Sequence, residues 1–165
     1  EKDEWQHFLT FLTEHPHLRP YRTEWTVYNE DAKLAGSIDM IYENDDGSLS
    51  IYDWKRSKEI SKHGWGKFAT CEEISHIPNA NYWHYSLQLN TYRRILQDKY
   101  GKTVKELFLV RLHPNHTTYE LIEVPLLDSE MDILFNKLKP KRKTGQYTIS
   151  EMFQPKCLAH LDKIG

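Results

Sequence analysis

Two runs rich in β-branched and aromatic residues, Leu34 to Glu43 and Ser48 to Lys55, flank Asn44-Asp45-Asp46-Gly47. This pairing constrains the chain more than anything else in it. Asp-Asp-Gly supplies a tight reversal, so the stretch is predicted to be a β-hairpin with a loop of about three residues, 45–47. Such a loop sets the register and places Asp39 opposite Asp53, Ile41 opposite Ile51, and Glu43 opposite Leu49. Directly opposed residues share a face with Cβ atoms ~5 Å apart. Alternation puts Lys55 on that face too.

Two carboxylates so placed repel, and each has its pKa raised unless a cation lies between them. Mg²⁺ suits that position, because it favours carboxylate oxygens and keeps waters elsewhere. An ammonium one strand step away can meet a scissile phosphate or the attacking water. Asp-x-Lys by itself is common on solvated strand faces. Here Ile41, Leu49 and Ile51 share the face, so it points inward or into a cleft. Charges embedded there are costly unless paired or metal-bound.

A chain of 165 residues fits one domain with its own core. No apolar run approaches a membrane span. The formal net charge of −2 excludes a global basic field, so any nucleic-acid contact must come from local clusters. Cys71 and Cys157 are too few for a disulfide framework or a four-thiolate site, and point to a reducing, intracellular compartment. The chain starts at Glu1 with no signal-peptide pattern and is expected to be a fragment of a longer protein.

Apolar spacing from Trp5 to Leu12 predicts a helix over 2–14, stopped at His15-Pro16. Tyr21 to Tyr28 alternates as a strand, turned into the hairpin by residues 29–31. Glu24 on that strand is either a solvent-facing charge or a further metal ligand. Beyond the hairpin, residues 55–67 carry five Lys or Arg against one acid, Glu59. Arg56, Lys58, Lys62 and Lys67 suit phosphates, and Trp65, free to swing between two glycines, suits an exposed base, as in a single-strand contact surface. A soluble surface loop is the plain alternative. Asn79 to Tyr100 is the strongest helix, closed by Gly101, with Tyr85, Leu89, Tyr92 and Leu96 in one stripe. Gln88 and Tyr92 are i, i+4 neighbours on it. Strands are predicted over 104–113 and 119–124, and a helix over 128–138. Lys137, Lys139, Lys141, Arg142 and Lys143 form a second basic run, and 148–161 is predicted to be a terminal helix.

Gly36-x-x-Asp39, Asp53-x-Lys55 and Gln88-x-x-x-Tyr92 together resemble the motif set of the PD-(D/E)XK nucleases, over roughly residues 20–112. More narrowly they resemble the RecB-like branch, with its lambda-type and mitochondrial genome maintenance exonucleases. The resemblance implies an α/β, restriction-endonuclease-like core: a central mixed sheet of about five strands flanked by helices. It implies Asp39, Asp53 and the Trp54 carbonyl as Mg²⁺ or Mn²⁺ ligands, Lys55 as the catalytic lysine, and Gln88 and Tyr92 as the supporting helix motif. Many RecB-like members add an upstream helical His ligand. His7 is the only helical His ahead of Asp39 and lies closer in sequence than that. Two cysteines cannot hold the iron–sulfur cluster of some relatives.

The expected activity is metal-dependent hydrolysis of DNA, single-stranded or at ends; the residues leave RNA open as a substrate, and leave open fusion to or association with helicase or polymerase modules. The competing reading is a nuclease-fold module that kept nucleic-acid binding or scaffolding and lost turnover.

Overall fold

The computed structural model describes residues 2–69, 71–138 and 147–148. In chain order these form α1 (Lys2–Glu14), β1 (Arg19–Asn29), β2 (Leu34–Glu43) and β3 (Leu49–Lys55), then α2 (Asn81–Tyr100). β4 (Val104–Arg111), β5 (Glu120–Val124), α3 (Asp128–Leu138) and the two-residue β6 (Tyr147–Thr148) follow. The sheet runs β1-β2-β3-β4-β5, with β6 alongside β2. It is mixed: β3 and β4 are parallel, as are β2 and β6, and the other pairs are antiparallel. A parallel neighbour requires a crossover, and α2 is that crossover.

The hairpin forms as its turn residues dictate. Gly47 N–H donates to Asn44 O at 2.9 Å, Asn44 N–H to Ser48 O at 2.8 Å, and Gly47 has φ +80°. This is a three-residue loop with glycine in the left-handed position. The expected register holds for Ile41 with Ile51 and Glu43 with Leu49. The paired section ends at Met40 with Tyr52, one step short of Asp39 and Asp53.

Each sheet face carries its own core. Ile41, Leu49, Ile51, Leu107 and Leu109 pack with Tyr85, Leu89, Tyr92 and Leu96 of α2 and with Met131, Leu134, Phe135 and Leu138 of α3. On the other face Met40, Tyr42, Tyr52 and Val110 pack with Phe11 of α1. Phe11 meets the Trp54 and Tyr52 rings at 5.5 and 5.8 Å. α2 is buried more broadly than one stripe, including Ser86, Asn90 and Thr91, because α3 covers the side the sheet leaves open. Asn90 tethers that layer: its amide donates to Pro125 O and accepts from Leu127 N–H.

Element ends shift by one or two residues from expectation. α2 begins at Asn81, after an extended Ala80, and β4 ends at Arg111. Thr148 belongs to β6 and not to a helix. The remainder of the expected terminal helix, most of the second basic run and Cys157 lie outside the described residues. Lys137 pairs with Glu73, and Cys71 is buried. Among the described residues no helix is long and apolar enough to cross a membrane.

The segment from Arg56 to Ala80 is built into the fold. Asn81 Nδ2 donates to Glu59 O and its Oδ1 accepts from Ser61 N–H, both at 2.8 Å. Trp83 Nε1 donates to Lys62 O at 3.2 Å. Gly64 is required here, since a Cβ would lie 2.4 Å from Lys67 O and 2.9 Å from Asn79 N. Both are backbone atoms and cannot step aside. Gly64→Ala is therefore expected to cost about 1–3 kcal/mol, seen as a lower urea midpoint at unchanged slope. A wild-type midpoint would show that the loop does not hold this close approach.

Candidate active site

The α2-facing side of the sheet carries the acidic pair. Where the β2–β3 ladder stops, Asp39 Oδ2 accepts from Trp54 N–H at 3.1 Å. A side chain thus satisfies the donor that a further strand pair would have used. The alternation that buries Ile51 also buries Asp53, which is 4% exposed. Asp39, at the end of the ladder, is half-buried.

Lys55 shares this face as expected. Its Nζ lies 2.6 Å from Asp53 Oδ2, donates to Gln88 Oε1 at 3.2 Å, and sits 4.3 Å from the centre of the Tyr85 ring. Gln88 Nε2 in turn donates to the Tyr92 hydroxyl at 3.1 Å. Gln88 and Tyr92 are adjacent on α2 by helical spacing. Only the β3–α2–β4 crossover brings them to a lysine 33 residues earlier. Asp39, Asp53, Lys55, Gln88 and Tyr92 form one connected site.

Burial pushes the Asp53 carboxyl up to about 6; Lys55 opposes the shift and the Asp39 charge adds to it. Burial likewise raises the Tyr92 hydroxyl, reinforced by the charges of Asp53 and Asp39, so it stays a neutral phenol. Asp53 Oδ2 is buried and accepts no aligned hydrogen bond, despite the nearby ammonium. A buried carboxylate oxygen with a spare lone pair beside a second carboxylate fits a hard divalent cation. Among the described residues no three His, Cys, Asp or Glu side chains converge on one point. The carboxylates that could hold such an ion are thus two, Asp39 and Asp53. Glu24 does not join them: it is exposed, on the edge strand, at φ +45°. The Trp54 ring packs on the α1 face with Phe8 and Phe11, away from the acids.

His7, set aside in the sequence because it lies so near Asp39, is buried on α1, and its Nε2 has no hydrogen-bond partner. The signal for it was its place on the inward side of α1, one turn before Phe11.

The basic positions after β3 are placed differently from one another. Arg56 pairs with Glu4, while Lys58, Lys62, Trp65 and Lys67 are exposed. The Lys62 Nζ lies 4.7 Å from the centre of the Tyr82 ring. A cleft of about 300 Å³ is lined by Glu4, Trp54, Lys55, Arg56 and Leu112.

A mixed sheet with helices on both faces, carrying two acids and a lysine where a hairpin ladder ends, defines a protein of the restriction-endonuclease-like class. The chain belongs to the PD-(D/E)XK nuclease superfamily, whose family model matches residues 2–161. Among solved structures, SSO0001 is similar at 18% identity and a TM-score of 0.37, covering 85% of this chain. A Eubacterium rectale protein provisionally named an exonuclease is similar at 11% identity and a TM-score of 0.46, covering 98%. The chain spans 58% of each of those two chains. No curated protein matches it.

Proposed function

We propose that this chain is a Mg²⁺- or Mn²⁺-dependent deoxyribonuclease acting on single-stranded DNA or DNA ends. The observation that carries this is Asp53: a buried carboxylate whose Oδ2 accepts no aligned hydrogen bond, 2.6 Å from a lysine and beside a second acid. Asp39, Asp53 and the Trp54 carbonyl would hold the ion. Bound there, a divalent ion lowers the pKa of a water and offsets charge gathering on the phosphate.

The remaining roles belong to the chain's own side chains. The Lys55 ammonium is held by its ion pair with Asp53 and by the Gln88 carbonyl oxygen, which fixes its position with an N–H left to donate. That proton reaches the attacking water or a non-bridging phosphate oxygen, where negative charge builds. Gln88 can hold Lys55 only with its amide oriented Oε1 inward, and donation to Tyr92 locks that orientation. The cleft beside Lys55 and Arg56 admits the strand. The complete set Asp39, Asp53 and Lys55 favours an active enzyme over a fold kept for binding alone.

The test is removal and return of the ion. Purified protein is expected to cut a 5′-labelled single-stranded oligonucleotide in Mg²⁺ or Mn²⁺, to stop in excess EDTA, and to recover when metal is restored. Undiminished cutting in EDTA would rule out the metal reading. No cutting under any condition would favour the binding module.

A further inference from the structure

We propose that Trp65 is a fixed stacking platform for an unpaired base of the strand whose phosphate lies at Lys55. This inference rests on the nuclease reading of the site and names how the strand is gripped.

Trp65 is 92% exposed, the most exposed of the large apolar side chains described. It occupies one of the two central positions of a tight turn in which Lys67 N–H donates to Gly64 O at 2.9 Å. Trp65 has φ +51° and Gly66 φ +77°. Both are left-handed, the geometry that selects Asn, Asp or Gly at a two-residue hairpin tip. A tryptophan is a costly choice there. It brings backbone strain and exposes a large ring, and neither improves the fold. Strain of this kind persists where the surroundings over-determine it, and such places concentrate at ligand-gripping sites.

The surroundings do over-determine it. Residues 67–69 and 77–79 form a short ribbon, with Asn79 N–H donating to Lys67 O and Ala69 N–H to Ile77 O, both at 2.9 Å. Below the turn, residues 59–62 are tied to the first turn of α2 by Asn81 and Trp83. Asn81 lies seven residues before Gln88 on the same helix, roughly 10 Å along its axis. The loop leaves directly from Lys55 and is anchored on the helix that also holds Lys55. The sequence suggested a ring free to swing between two glycines. The structure instead presents it at the tip of a braced turn. Lys58, Lys62 and Lys67 flank it, exposed, on a chain whose net charge is −2. Phe68, 52% exposed, adds a second ring on the adjoining ribbon. Rings set among lysines match an unpaired, charged strand, since every base offers a π-face and every linkage a phosphate.

The test is fluorescence anisotropy with labelled single- and double-stranded DNA in Ca²⁺, which keeps the strand uncut. Trp65→Ala is expected to weaken single-strand binding roughly ten- to a hundred-fold, and Trp65→Phe to keep most of it. Trp65→Asn, which suits the left-handed backbone, is expected to raise Tm while binding falls. A purely structural role would move both in the same direction. Lys62→Ala with Lys67→Ala should reduce the slope of log affinity against log salt by about 1.4 for two phosphate contacts. Wild-type affinity in Trp65→Ala, or equal losses in Trp65→Phe and Trp65→Ala, would overturn the platform. Cutting in Mn²⁺ is scored separately. A wild type that binds through Trp65 without cutting sinks the nuclease reading and leaves the platform standing.

Discussion

Lys55→Ala is expected to lower single-turnover cleavage of single-stranded DNA by about 10²–10⁴-fold, the scale of a lost proton donor or charge stabiliser. Its ammonium is the cation that the structure places against Asp53, braced by Gln88 and the Tyr85 ring. No neighbouring group can replace it: Arg56, the next basic residue, is committed to Glu4. Metal affinity should not weaken, because removing a positive charge 2.6 Å from the proposed ligand oxygen removes a competitor. The fold should survive as well. Asp53 loses its ion pair, but a carboxyl already pushed up by burial can take a proton instead of staying charged. Calorimetric Mn²⁺ titration and thermal melting, run beside the cleavage assay, separate these effects. A Lys55→Ala protein cutting at the wild-type rate would refute the assignment and favour the binding module.

Asp53→Asn is expected to remove most Mn²⁺ binding measured by calorimetry, and cleavage with it. An amide offers a neutral oxygen where the ion needs a charged one. Without metal, the same substitution is expected to raise Tm near pH 7. Burial lifts the Asp53 carboxyl to about 6 in the fold, against roughly 3.9 in an unfolded chain. A group whose pKa is raised by folding favours the folded state below its unfolded value. That contribution is lost as pH rises through the folded value. The advantage of the amide should therefore be full above about pH 6 and vanish below about pH 4. Lys55 keeps Gln88 and the Tyr85 face in the variant, so it is not left without a partner. By the same proton competition, wild-type metal affinity should fall as pH drops through 6. Equal Mn²⁺ binding by the variant and the wild type would show that Asp53 is not a ligand.

The local pattern determined much of this protein. The Asp-Asp-Gly turn specified a three-residue loop, the loop specified the register, and a period of two put Asp53 and Lys55 on one face with Ile51. α1, β2 and α3 follow from periodicity and punctuation in their own segments, and Gly101 closes α2 as a left-handed cap. These are properties of a few neighbouring residues. They read directly because backbone geometry repeats regardless of what the rest of the chain does.

What only the tertiary structure decided are relations between segments far apart in sequence. Gln88 meets Lys55 because the parallel β3–β4 pair forces α2 back across the sheet. The strands part at Asp39, and Trp54 N–H takes its carboxylate in place of a ladder bond. Glu24 looked suitable on an alternating strand, but its left-handed backbone lies on the exposed edge. His7 counted for little in sequence and proved to be a buried imidazole with a free nitrogen. Trp65 read as a flexible residue between glycines and stands instead at a strained, braced tip. The elevated Asp53 carboxyl has the same origin. Its strand pattern determined which way it points. How dry that direction is depends on α2 lying over it, because the cost of charge is set by all the layers that exclude water.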